Sequence, residues 1–101
     1  MTERRAVELS DVVCASANHM ASRIGDELAV LDLDRSVYYG LDPVGARIWE
    51  LLQAPIALSA VRDAMVAEFE VDPAVAGADL IALVEQLRKQ QLVTVRSDHG
   101  A

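Results

Sequence analysis

Two histidines, one cysteine and sixteen carboxylates are the side chains of this chain that could move a proton, attack an electrophile or hold a metal. Their placement argues against all three. His19 heads a strand-like stretch and His99 stands near the end of the chain; neither lies at a catalytic spacing from a Cys, Asp or Ser. Cys14 cannot make an internal disulfide, and no Cys/His cluster has metal-ligand spacing, so a buried or idle thiol is the reading. The acid pairs Asp26/Glu27 and Asp32/Asp34 fall at turns, where water surrounds a carboxylate and the burial that tunes a catalytic acid is missing. Gly40 and Gly45 flank a helix start without the further glycines and lysine of a phosphate loop. The expectation is a protein that is not an enzyme and uses neither metal nor cofactor.

With catalysis set aside, composition narrows the binding classes. A chain of 101 residues is expected to form one domain, and 52% hydrophobic residues suit a packed core rather than disorder. Nine basic against sixteen acidic residues leave a net charge of -7, which opposes non-specific nucleic-acid binding, because that affinity comes from neutralising phosphates. The single lysine, Lys89, and the eight arginines are scattered and form no stripe. The start of the chain lacks a signal-peptide apolar run, and no stretch reaches the roughly 20 apolar residues of a membrane span. A cytoplasmic protein with no membrane or nucleic-acid partner is expected.

The elements that would present a binding surface follow from patterning. Residues 1–17 read as an N-terminal arm or extended segment, with a short apolar patch at Val12 to Ala15. Met20 to Ile24 alternates weakly, Gly25-Asp26 supplies a hairpin turn, and Leu28 to Leu33 is an apolar strand. Asp34-Arg35 makes a second turn, and Ser36 to Leu41, with Val37, Tyr38 and Tyr39, suits a pleated surface as a third, edge strand. Asp42-Pro43 and Asp72-Pro73 each pair an N-cap with a proline at the first helical position. The first helix carries Ile48, Trp49, Leu51 and Leu52 and stops at Pro55; the second carries Leu58, Val61, Met65 and Phe69, with Ala57 or Ser59 as a weak cap. Leu80, Leu83, Val84 and Leu87 give the third helix its i, i+3, i+4, i+7 face, and Leu92 to Val95 forms a last strand or extended tail. Strands followed by helices make an α+β fold. A three-stranded antiparallel sheet followed by three helices is also the inventory of a winged helix-turn-helix.

Two features could bind a partner. The third strand is an edge whose free N–H and C=O groups can accept another strand, and no proline interrupts it. Beside it, Ile81 forms an apolar shoulder on the third helix. The ordinary reading is core packing: Trp49 and the leucine-rich face of the third helix belong inside, and one of Tyr38 and Tyr39 is core while the other is half-exposed. The residues alone support a small, acidic, peptide- or protein-binding domain.

The stretch from Val30 to Leu52, VLDLDRSVYYGLDPVGARIWELL, resembles the signature region of the PqqD-like family, the RiPP recognition elements. The matching pieces are Leu31 to Leu33, Tyr38-Tyr39, Leu41-Asp42, Gly45, Ile48-Trp49 and Leu51-Leu52. Phe69 to Asp72 and the leucine-rich third helix into Leu92-Val93 also fit, so the likeness spans about Met20 to Val95. Within the family, the chain looks most like the stand-alone leader-binding proteins of lasso-peptide biosynthesis, a route to antibiotics. It departs at Asp34-Arg35, which lacks the glycine often found in that turn.

The resemblance implies a winged-helix-like domain over residues 18–96, with a tail at 97–101. Its implied function is that of a non-catalytic adaptor binding the leader segment of a ribosomally made precursor peptide. The leader would add antiparallel to the third strand, in the cleft beside the third helix. Carried over by position, the leader-binding residues are Asp34, Arg35, Ser36, Val37, Tyr38 and Tyr39, with Leu80, Ile81, Val84, Leu87 and Arg88 from the helix. Asp32 and Asp34 would meet basic leader residues. Val37→Asp and Val84→Asp are expected to weaken binding with the fold intact. The implied partners are the leader, a separate cysteine protease that removes it and, downstream, an ATP-dependent cyclase; the chain itself is expected to be a monomer or weak homodimer. The alternative is a winged-helix DNA-binding regulator, against which the third helix sets Asp79 and Glu85 beside Arg88 and Lys89.

Overall fold

The computed structural model describes residues 6–97, and the meander predicted by alternation is present. Strands β2 (His19–Ile24), β3 (Glu27–Asp32) and β4 (Val37–Leu41) pair antiparallel in that order. Gly25 adopts φ +65° in the first turn, a left-handed conformation that costs a residue without Cβ little. Register follows burial. Val30 pairs with Ala21 and Tyr39, and Leu28 with Leu41, so the inner face presents Leu28, Val30 and Leu41 to the helices.

Helix α1 (Pro43–Leu51) starts where Asp42-Pro43 predicts: the Asp42 carboxylate accepts from the Gly45 N–H at 2.8 Å. Helix α2 (Leu58–Phe69) begins at Ala57 without a side-chain cap, as its sequence suggests, and ends at Glu70 in the left-handed region. Helix α3 (Pro73–Lys89) is capped by Asp72, which accepts from Ala74 and Val75. Trp49 is a core residue, and His19 packs edge-on against it with ring centroids 4.9 Å apart, which gives that histidine an ordinary packing role. Val30, Leu52, Leu58, Val61, Val84 and Leu87 have no exposed surface. Burying such side chains contributes about 1.5–3 kcal/mol each.

The N-terminal segment does more than an arm would. Strand β1 (Val12–Ala15) is the middle of a second antiparallel sheet, between β5 (Ile56–Ala57) and β6 (Val93–Arg96). Val13 is fully buried and pairs with Ile56 on one side and Val95 on the other. Val7 is also in the core. Four residues without a turn signal carry little strand signature, because their partners lie far along the chain. The apolar patch at Val12 to Ala15 was the visible trace of this strand. Arg4, Arg5, His99 and most of the tail expected at 97–101 lie outside the described residues. Among the described residues, no helix is long and apolar enough to cross a membrane.

Candidate functional site

The expected edge is β4, which pairs with β3 along one side only among the described residues. Its side chains alternate. Val37 and Tyr39 are half-buried on the inner face and Leu41 is core, whereas Tyr38 and Gly40 face outward. Tyr38, 63% exposed, stands in an outer-face row with Leu31 and Met20, its cross-strand neighbours in order. It therefore contributes backbone to the edge but aims its ring away from the cleft.

The turn before β4 solves its missing glycine with a buried acid. It spans Leu33 to Ser36 rather than Asp34-Arg35 alone, and Ser36 takes the positive φ of 54°. The Asp32 carboxylate accepts from the Asp34 N–H at 2.9 Å and the Arg35 N–H at 3.2 Å, while the Ser36 N–H donates to the Asp32 carbonyl at 2.8 Å. Asp32, expected to meet basic leader residues, is 8% exposed and staples the turn. Asp34 is held by the Asn18 amide. Arg35 reaches across to α3, donating from Nη1 to the Gln90 carbonyl at 2.8 Å and to Gln91 Oε1 at 3.2 Å. A cation at a helix C-terminus complements the last carbonyls and the helix dipole.

On α3 three of the five expected contact residues are buried. Leu80, Val84 and Leu87 are core residues with at most 1% exposure, so none has surface for a peptide. Val84→Asp would place an unpaired carboxylate in the core and cannot leave the fold intact. Ile81 and Arg88 lie on the flank covered by the N-terminal segment. There, Leu9 packs beside Gly77, the Val7 N–H donates to Glu85 Oε2 at 2.9 Å, and Arg88 Nη2 meets Glu85 Oε1 at 2.7 Å. The Val7 N–H, helped by the positive charge of Arg88 and Lys89, holds the Glu85 carboxyl below its ordinary range, although desolvation pulls the other way.

The face of α3 toward β4 instead presents Asp79, Ala82, Leu83 and, one and two turns on, Gln86 and Gln90. Asp79, Ala82 and Leu83 line an open hollow with Leu41, Val44, Gly45 and Ile48 at the end of the strand. Gly45 lets α1 start this close, since a Cβ there would sit 3.1 Å from Leu41 Cδ2. The helical pattern located the core stripe of α3 but could not say which shoulder the N-terminal segment covers. Recognising β1 would have exposed that choice. Among the described residues, no group of three or more His, Cys, Asp and Glu side chains could hold a metal.

The arrangement offers backbone pairing along β4 and an apolar trough beside it, with no constellation of titratable groups converging on a reacting atom. Comparison with known proteins bears on what it binds. The family model described as coenzyme PQQ synthesis protein D (PqqD) matches residues 27–93. Among solved structures, TbiB1 in complex with the TbiA(beta) leader peptide is similar, at 32% identity over 87% of this chain and 96% of that chain, with a TM-score of 0.73. No significantly similar curated protein was found.

Proposed function

The chain belongs to the PqqD family, and from that premise we propose that it is a non-catalytic adaptor for the leader segment of a ribosomally synthesised precursor peptide. The observation that carries the reading is the open edge of β4 beside an apolar trough, in a fold similar to one solved with a leader peptide bound. The leader adds to β4 as an antiparallel strand. Main-chain hydrogen bonds set its register, and alternate side chains reach the trough between Val37, Tyr39 and Leu41 on one side and Ala82 and Leu83 on the other. A flexible leader loses entropy on ordering, so a few apolar anchors supply most of its net affinity.

The similarity to TbiB1 favours lasso-peptide maturation as the pathway. In that setting the bound leader is presented to a separate cysteine protease, after which an ATP-dependent cyclase closes the ring, and the adaptor works in the cytoplasm as a monomer or weak homodimer. Charge argues against the DNA-binding alternative, because Asp79 stands on the face of α3 that borders the cleft. The test is a fluorescence-anisotropy titration with the labelled leader of the neighbouring precursor and a scrambled control. Saturable binding of the true leader alone supports the adaptor. A folded sample that binds neither peptide, with or without the protease, overturns it.

A further inference from the structure

β4 is one edge of the meander and β2 is the other, since among the described residues β2 pairs with β3 alone. Little in β2 protects that edge. The stretch His19–Ile24 holds no proline and no lysine, and every residue after the half-buried His19 is exposed. Met20 and Ile24 are large apolar side chains at 60% and 63% exposure. Arg23, whose charge could guard the edge, is engaged by Glu50 of α1 at 2.6 Å. The ladder also says which main-chain groups are free. The Leu33 N–H donates to the Asn18 carbonyl at 3.1 Å, so by antiparallel alternation Met20, Ser22 and Ile24 spend their hydrogen bonds on β3. Ala21 and Arg23 turn their N–H and C=O groups to the open side.

We propose that β2 pairs antiparallel with β2 of a second copy of the chain, about a two-fold axis at Ser22. In this register Ala21 of each copy exchanges main-chain hydrogen bonds with Arg23 of the other. Met20 then stands opposite Ile24, and Ser22 opposite Ser22, in the non-hydrogen-bonded pairs where side chains come closest. The neighbouring registers are worse. Centring on Arg23 sets two like charges against each other. Centring on Ala21 leaves Ile24 opposite Asn18, whose φ of 69° takes it out of the strand. A whole domain also reaches β2 more readily than β4, where Arg35 ties the strand's own turn to the end of α3 and leaves room for a slim peptide. The joined sheet runs β4-β3-β2-β2-β3-β4, with both β4 edges outward and free. Because each copy carries a net charge of -7, salt strengthens the pairing. A strand edge buries less than about 1,200 Å², so the dimer is of the transient class.

The test is sedimentation equilibrium of the full chain from about 10 µM to about 1 mM, the affinity range of weak association. Monomer is expected to give way to dimer across that range, at lower concentration in high salt. Met20→Lys and Ile24→Glu each set a charge opposite an apolar side chain and should weaken dimerisation at least tenfold. The double variant faces each new cation with a new anion and should recover most of it. Ser22→Cys, combined with Cys14→Ser, should cross-link under mild oxidation, because residues opposed in such a pair stand at disulfide distance. Leader affinity should be the same for all of these variants, so this result is read separately from that of the proposed function. A chain that stays monomeric throughout overturns the proposal. So does a dimer that both single variants leave intact, or one that the double variant fails to recover, since the contact then lies elsewhere than along this register. A dimer that leader peptide dissolves assigns the contact to β4 and overturns it too.

Discussion

Arg35 and Gln90 stand 55 residues apart in the chain and meet across one end of the cleft, where the Arg35 guanidinium donates to the Gln90 carbonyl at 2.8 Å. The contact ties the turn before β4 to the end of α3, the two walls of the proposed cleft. It stands at the Val37 end of β4, opposite the Leu41 end where the hollow opens.

Arg35→Met should therefore loosen the cleft without unfolding it. Exposed hydrogen bonds of this kind contribute about 1 kcal/mol. The expected outcome is a melting temperature lower by a few degrees, read by circular dichroism, and leader affinity lower by about three- to tenfold, read by anisotropy.

Ala82→Glu and Val84→Asp separate the two faces of α3. Ala82 is exposed and borders the trough, so a glutamate there should leave the melting temperature nearly unchanged and cut leader affinity at least tenfold. Val84 is fully buried, and an aspartate there should cost more than about 3 kcal/mol and abolish cooperative unfolding.

On the strand, Val37 is a better target for threonine than for aspartate. It pairs directly with Asp32, whose buried carboxylate staples the turn, so Val37→Asp would set two acids against each other and disturb the edge itself. Val37→Thr keeps the β-branched shape and removes apolar contact. A fall in affinity of about threefold, at unchanged stability, is expected.

Acid should release the N-terminal segment from α3. The Glu85 carboxyl titrates lower in the folded chain than its ordinary value of 4.5, chiefly because the Val7 N–H donates to it. Its contribution is complete above that ordinary value and is lost as pH falls through the depressed one. Glu68 behaves alike, held down by its hydrogen bond from Arg47. The melting temperatures of the native chain and of Glu85→Gln should thus differ at pH 7 and converge toward pH 3. A difference that persists unchanged at pH 3 would refute this assignment.

Val13→Ala tests β1, in the segment that sequence patterning reads as an arm or extended segment. A fully buried side chain in a central strand should cost about 2 kcal/mol on truncation. Urea unfolding checks it, and a loss below about 0.5 kcal/mol would mean β1 is not part of the cooperative core.

What could be read in the sequence was whatever is local. The meander, the Asp42 and Asp72 caps and the core stripe of α3 each depend on residues within a few positions of one another, and each is present. β1 was legible only as an apolar patch, since nothing near Val12 reveals that Arg96 and Ala57 are its partners. The same gap bears on the helix half of the expected site: with the covering segment unseen, nothing near Ile81 tells its flank of α3 from the flank of Ala82 and Leu83. The family likeness supplied the cleft but not the rotation of its wall.

The two sheets differ in how far along the chain their strands must reach for partners. β2, β3 and β4 are neighbours along the chain, and short loops close at little entropic cost. β1 must find β6, across a separation of 80 residues at Cys14 and Thr94. Topology of this kind slows folding through its distant pairings, not its hairpins. As the chain leaves the ribosome, the sheet that carries β4 can therefore assemble while the other sheet still awaits its last strand. In a pulsed hydrogen-exchange experiment, β3 should gain protection ahead of β1.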